Sequence, residues 1–367
     1  MRDIWEEQLH WIKNAEPFAL ARVINTWRSA PRKTGAGMLI SRGLDRKSLP
    51  KVVGSVSGGC IESSVIEEAL EVLEKDDSKK ISFGIEDELA LSVGLSCGGE
   101  VTVYIEKHWA FSKIPNTIKV WETLQNCIKK NDPAILFTFL PKDNETNIKK
   151  QSPILLIPDD KPDISFKMIG NIKTNKKELF ALAKKFYFEK ENKIINFCEQ
   201  EVFIQVFPRQ DQLLIIGAGH ISIPLVNFAK ELNFLTVVVD PREVFTSSER
   251  FAIKPDHLIS KWPDEFLKEW PIHNDTYAIL LTHDPKIDDP ALHLLLNRNL
   301  KYIGALGSTR THIKRCTRLK EAGFDEERIK KIIGPAGIDI GAQTATEIAL
   351  SIISEIVAAK HGKKNNC

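Results

Sequence analysis

The sequence predicts an α/β protein in two parts. An N-terminal α+β domain over residues 1–208 is built as a two-copy pseudo-repeat, with half-domains at 1–109 and 110–208, and a doubly wound parallel sheet follows over 209–362. Three observations predict this. From Gln212 onward, short apolar runs alternate with stretches of helical period, the pattern of parallel strands joined by crossover helices. The run QLLII leads at once into GAGHIS and then an amphipathic stretch, the strand, glycine turn and helix of a Rossmann-like opening. Upstream, three apolar runs recur at one offset of 116 residues: FALARVI about Leu20 with PAILFTFL about Leu136, GMLIS about Leu39 with PILLIP about Leu155, and VVGS at Gly54 with MIGN at Gly170. One shared offset is harder to produce by chance than three separate similarities.

A fourth pair, GEVTVYIEKH about Ile105 and QEVFIQVFPR about Val206, is offset by 101, so the first copy is read as 15 residues longer, with the excess where two cysteine loops lie. The second copy is expected to be a structural partner. In the C-terminal part, a helix over Ile221–Leu232 precedes the strand FLTVVVD, and further strands are expected at His257–Ser260, Tyr277–Thr282 and Tyr302–Leu306. The last helix opens with Thr344 and Glu347 at capping-box spacing, carries Ile348, Ile352, Ile356 and Ala359 on one stripe, and stops at Gly362.

The 367 residues hold 51 Lys and Arg against 49 Asp and Glu, which leaves no basic field to attract nucleic acid or a membrane surface. The start, MRDIWEEQLHWIKN, is charged throughout, and no apolar run approaches a membrane span, so a cytoplasmic protein is expected. Six cysteines without regular spacing do not describe a disulfide framework, and Cys127, Cys198, Cys316 and Cys367 are read as incidental.

The other two cysteines stand among glycines. Cys60 lies in GSVSGGCIES after Gly58 and Gly59, and Cys97 lies in GLSCGG before Gly98 and Gly99. Missing side chains there leave thiol and backbone N–H groups approachable. No spaced histidines or further cysteines complete a zinc set beside them, and a disulfide does not suit a reducing compartment, so no metal site is expected. What remains is a nucleophilic or persulfide-carrying thiol, or a soft ligand to a metal held by its own cofactor, with the glycine N–H groups cradling an anionic portion. Glu62 either orients the thiol or caps the following helix, and Arg28, Arg32 and Lys33 add positive charge upstream.

In GAGHIS, Gly217 permits the tight turn and Gly219 the approach of a pyrophosphate, with His220 projecting from the loop. Asp240, ending the next strand, is placed to accept ribose hydroxyls. Ser222 stands where the third glycine of the fingerprint belongs. THDPKID and GSTR leave the fourth and fifth strands, so His283, Asp284, Ser308 and Arg310 are expected in the same crevice, with helix N-capping as the alternative for Asp284 and Asp288.

Taken together, SAPRKTGAGMLIS, GSVSGGCIES, GLSCGGEVTVYIE, LLIIGAGHIS, LTHDP, YIGALGSTR and GPAGIDIGAQTATEIALSI resemble the XdhC/CoxI family of molybdenum hydroxylase accessory proteins. The resemblance covers nearly the whole chain except roughly Ala110 to Val206. It implies a non-enzymatic, cytoplasmic chaperone that binds the molybdenum cofactor (molybdopterin), protects its sulfurated form and delivers it to a xanthine dehydrogenase-like apoenzyme, with a cysteine desulfurase-type sulfurtransferase as second partner and a homodimer as its assembly. By family motif, Gly58, Gly59, Cys60 and Glu62, and then Cys97, Gly98 and Gly99, would handle sulfur or hold the cofactor. THDPK and Thr309 depart from the family pattern, both in the Rossmann crevice. The alternative is an NAD(P)-dependent oxidoreductase using that crevice.

Overall fold

The computed structural model describes residues 4–27, 31–43, 49–84, 99–141, 151–159, 164–172 and 175–363. The chain divides into two units, Met1–Pro208 and Arg209–Cys367. The first copy within unit 1 runs α1 (Trp5–Lys13), β1 (Phe18–Trp27), β2 (Gly37–Ser41), β3 (Lys51–Gly54), α2 (Glu62–Lys75), β4 (Ser78–Phe83) and β5 (Glu100–Lys107). The second runs α3 (Pro115–Lys129), β6 (Ala134–Phe139), β7 (Ile154–Pro158), β8 (Phe166–Ile169), α4 (Lys176–Glu189), β9 (Lys193–Phe197) and β10 (Gln200–Phe207).

Each copy is one antiparallel sheet, ordered β3-β2-β1-β5-β4 and β8-β7-β6-β10-β9. The registers coincide: Leu20 pairs with Leu39 as Leu136 pairs with Leu155, and Leu39 with Val53 as Leu155 with Ile169. On the last strand Arg22 faces Tyr104 where Thr138 faces Phe203, so the offset there is 99 rather than the expected 101 and the first copy is longer by 17 residues, not 15. A shift of two keeps every side chain on its own face, so the apolar pattern alone does not distinguish the two alignments. Helix α2 lays Val65, Ala69 and Val72 on one sheet, as α4 lays Leu179, Ala183 and Phe186 on the other. These helix positions differ by 114, which puts two of the extra residues in the Cys60 loop. The other 15 fall between β4 and β5, where 17 residues separate the paired Phe83 and Val101 and only Cys198 and Glu199 separate the paired Phe197 and Gln200 of the second copy.

The copies meet through equivalent residues. Trp5 packs on Trp121 at 5.0 Å between ring centroids, one repeat apart, and a small cluster joins Ile24 to Leu140 and Tyr104 to Phe203. Arg22 lies fully buried among them. It donates to Glu106 at 2.6 Å, to Thr138 at 3.2 Å and to Gln205 at 3.1 Å, and its guanidinium lies over the rings of Tyr104, Trp109 and Phe203.

Unit 2 runs β11 (Gln212–Ile216), α5 (Ser222–Glu231), β12 (Leu235–Val239), β13 (His257–Ile259), α6 (Pro263–Glu269), β14 (Thr276–Leu280), α7 (Pro285–Leu295), β15 (Tyr302–Ala305), α8 (Thr309–Glu321), α9 (Glu326–Ile329), β16 (Ile332–Ile333) and α10 (Ala345–Lys360). All pairings are parallel, in the order β13-β12-β11-β14-β15-β16. Both faces are covered, one by α6, α7 and α8 and the other by α5 and α10, which explains why strands such as LLII and VVV are apolar without alternation. The sixth strand has only two residues and gives no periodic signal. Thr344 and Glu347 close the expected capping box at α10. Among the described residues, no helix is long and apolar enough to cross a membrane.

Candidate functional site

The Cys60 loop is organised by one carboxylate. Glu62, the first residue of α2, turns back to accept the backbone N–H groups of Val56, Ser57, Gly58 and Gly59 at 3.3, 3.0, 3.0 and 2.9 Å, and the hydroxyls of Ser55 and Ser57 at 2.6 and 2.5 Å. Gly58 and Gly59 adopt φ of 83° and 121°, a left-handed backbone that presents successive N–H groups to one point and that other residues adopt only under strain. Partial burial would raise the Glu62 pKa, but the hydroxyls of Ser55 and Ser57 and the backbone N–H of Ser57 outweigh it and pull it down to about 2. The Ser57 hydroxyl also accepts the N–H groups of Cys60 and Ile61, fixing the start of the helix.

The N–H groups of Gly58 and Gly59 are engaged by Glu62 and do not stand open to an anion, and of the two roles read for this acid its contacts match the first, holding the loop that carries the thiol. Cys60 itself is half-buried, resting against the apolar cluster under α2. Arg32 ties the preceding basic turn to this loop by donating from Nε to the Ser55 carbonyl at 3.1 Å. Cys97, Gly98 and Arg28 lie outside the described residues; Gly99 is buried immediately before β5.

In unit 2, the glycine turn is held by its own acid. Asp240 is fully buried, and its two oxygens accept four N–H groups: from Ala218 at 2.8 Å, and from the Arg242 backbone, Nε and Nη2 at 3.0, 2.8 and 2.7 Å. Burial opposes ionisation, but the Arg242 guanidinium and these N–H groups keep its pKa below the ordinary carboxylate value. The carboxylate therefore has no acceptor capacity left for ribose hydroxyls, contrary to the reading from the fingerprint. Arg250 donates to the Ala218 carbonyl at 2.7 Å, so this residue of the turn is held through both its N–H and its C=O. Ser222 is buried and donates to the Gly219 carbonyl at 2.7 Å, a closing contact that a third glycine could not make. His220 is exposed, and a Cβ added to Gly219 would meet nothing within 4 Å.

Gly217 has no such room. At a φ of 108°, a Cβ there would lie 2.7 Å from Thr282 Cγ2 and 3.1 Å from Thr282 N. Gly217→Ala should therefore destabilise unit 2 by about 2 kcal/mol, through strain and overpacking. Urea unfolding of the variant against wild type measures this, and an unchanged midpoint would refute it.

Asp284 accepts the Lys286 N–H as the N-cap of α7, and Ser308 accepts the Thr311 N–H as the N-cap of α8, so both are engaged in capping; Arg310 is exposed. Asp288 is not a cap. It is buried, accepts the Thr282 hydroxyl at 2.5 Å, and faces buried Arg315 at 3.7 Å. Burial pushes its pKa up to about 6, although the Thr282 hydroxyl and Arg315 oppose the rise. Burial, reinforced by Arg315, also lowers the pKa values of His283 and His312. His283 leaves β14 at a φ of 60°, unusual for a residue with a Cβ. Arg315 is hidden in the sequence because TRTHIKRCTRLKE reads as a solvated face; its one signal is its place four residues before Leu319 on the buried stripe.

A duplicated α+β unit with a thiol loop locked by its own glutamate, in one chain with a six-stranded Rossmann sheet, defines a two-unit Rossmann-containing class of protein. Residues 213–356 match the XdhC Rossmann domain and residues 11–84 match the XdhC and CoxI family. The chain belongs to the XdhC and CoxI family. It is 26% identical over 356 residues to a probable xanthine dehydrogenase subunit of Bacillus subtilis (strain 168), covering 95% of both chains. It is 37% identical over 97 residues to the molybdenum cofactor insertion chaperone PaoD of Escherichia coli (strain K12), covering 26% of this chain and 30% of that protein. A solved structure described as a xanthine dehydrogenase from Bacillus halodurans shares the fold with a TM-score of 0.72 at 23% identity, covering 98% of this chain and 96% of that one.

Proposed function

We propose that this chain is an accessory protein of molybdenum hydroxylases, which takes up the molybdenum cofactor as cargo, protects its sulfurated form and passes it to a xanthine dehydrogenase-like apoenzyme. The observation that carries this reading is the Cys60 loop: a half-buried thiol on a backbone fixed by six hydrogen bonds to Glu62. Rigid presentation of a soft sulfur suits a cargo whose metal is surrounded by soft ligands. The family membership and the likeness to an insertion chaperone support the same class of role. Cys60 would contact the sulfur-bearing end of the cargo, with Cys97 as a second thiol. A sulfurtransferase of the cysteine desulfurase type would meet the protein at this loop, and a homodimer is the proposed assembly.

Cys60→Ala should shorten the lifetime of added cofactor in air by about tenfold relative to wild type. The readout is the cofactor's ability to reactivate a molybdenum-free apoenzyme after timed exposure. Equal protection by the Cys60→Ala, Cys97→Ala double variant would remove the cysteines from the role. The oxidoreductase reading is the weaker one, because the acid that would bind the ribose is saturated by Arg242 and Ala218. Titration with NADH and NADPH tests it.

A further inference from the structure

We infer that the basic turn Pro31–Ala36, where the two copies of unit 1 meet, is a seat for a phosphomonoester; its identification with the phosphate end of the cargo rests on the function proposed for the chain. The turn joins β1 to β2, and the second copy holds it from beneath. Asn192 donates from Nδ2 to the Thr34 carbonyl at 2.8 Å, while its own oxygen accepts the Val206 N–H at 2.8 Å. Gln205, 2% exposed, donates from Nε2 to the Gly35 carbonyl at 3.3 Å. Arg22 donates to the oxygen of the same amide at 3.1 Å, so the amide cannot reverse without setting its NH2 group against a guanidinium. Gly35 sits at a φ of 93°, and a Cβ there would lie 2.2 Å from Asn192 Nδ2, so the chain approaches the amide as closely as a backbone can.

The turn is thereby fixed through its carbonyls, and its two cationic residues, Arg32 and Lys33, line a cavity of about 450 Å³ whose far wall is Asn192, Gln205, Phe207 and Pro208. That volume lies within the range of about 300–1,000 Å³ typical of small-molecule sites. Arg32 and Lys33 supply charge for a phosphate, and Phe207 with the two prolines supplies apolar surface for the carbon body it is esterified to. The seat adjoins the thiol loop, since Arg32 bonds to Ser55 and a Cβ on Gly58 would touch Pro31 Cβ at 3.5 Å. A ligand with a phosphate at one end and soft sulfurs at the other could span the two. The second copy then builds part of the site instead of serving only as a structural partner.

Phenyl phosphate is the probe, titrated into the full-length chain and followed by its phosphorus resonance. Wild type should bind it in the millimolar range, and Arg32→Met with Lys33→Met should weaken binding by at least about tenfold. Asn192→Ala keeps both charges but frees the turn, and should weaken binding about three- to tenfold with the circular dichroism of the fold unchanged. No binding at about 10 mM, or equal binding by the Arg32→Met, Lys33→Met variant, would overturn the seat. Displacement of the probe by released molybdenum cofactor supports both the seat and the cargo. Phosphate binding that the variants lose, without displacement by the cofactor, supports the seat while the cargo reading fails.

Discussion

Arg22→Met is expected to destabilise unit 1 by about 3–5 kcal/mol, because it leaves the Glu106 carboxylate buried without its partner. Glu106 lies 2.6 Å from the guanidinium and is 8% exposed, and the same substitution removes the donors to Thr138 and Gln205 from the joint between the copies. A loss of this size is a large share of the ~5–15 kcal/mol that holds a domain together. Urea unfolding followed by tryptophan fluorescence suits the measurement, since Trp109 lies directly under the guanidinium. If the single variant does not fold, Arg22→Met with Glu106→Leu is the control: replacing both partners by apolar groups should recover most of the loss. A single variant within about 1 kcal/mol of wild type would mean that the pair contributes no more than a surface ion pair.

Glu62→Gln is expected to loosen the Cys60 loop, at a cost of about 2 kcal/mol, and to raise the alkylation rate of Cys60 severalfold. An amide places donors where the carboxylate accepted from four N–H groups and two hydroxyls, so several of those contacts become repulsive. The pH dependence has a definite sign. Folding lowers the Glu62 pKa from 4.5 to about 2, so its contribution is complete above pH 4.5 and is lost as the pH falls through about 2. The stability difference between wild type and variant should therefore stay level from neutral pH to about 4.5 and shrink below it. A difference that is the same at pH 7 and pH 3, or an unchanged alkylation rate, would show that the carboxylate does not hold the loop.

Much of the architecture was legible because it rests on apolar runs. The parallel strands of unit 2 are buried on both faces, and so read as unbroken hydrophobic segments beside glycine turns. The repeat was visible for the same reason, in three strands at one offset. A fourth match is harder to see: WEEQLHWIK in α1 and WETLQNCIK in α3 share Trp, Glu, Ile and Lys at that same offset of 116, on helices whose polar composition hides their buried stripe. What the sequence concealed was the partners of its charges. Arg22 stands inside the apolar run FALARVI, but its acceptors come from three other strands. Asp240 has the spacing of a ribose acceptor, and only the folded chain brings both Arg242 and the glycine turn onto it. Glu62 sits where a helix cap would, and its actual role depends on two left-handed glycines folding the preceding loop back over it.

The contact between Arg22 and Thr138 also bears on how such a unit can be assembled. These residues occupy the same place in the two copies, and they touch at 3.2 Å. Two identical first copies paired in this way would bring one arginine against another across a symmetry axis, each with its own Glu106, and so would bury two ion pairs where the tandem chain buries one. Joining both copies in one polypeptide breaks that symmetry: one side keeps the cation and the other supplies a hydroxyl. The same asymmetry puts Gln205 at the place in the second copy that Glu106 holds in the first, and Arg22 donates to both. Thr138→Arg would set a second buried cation beside Arg22, with Glu106 already engaged and Gln205, an amide, at the equivalent place in the second copy.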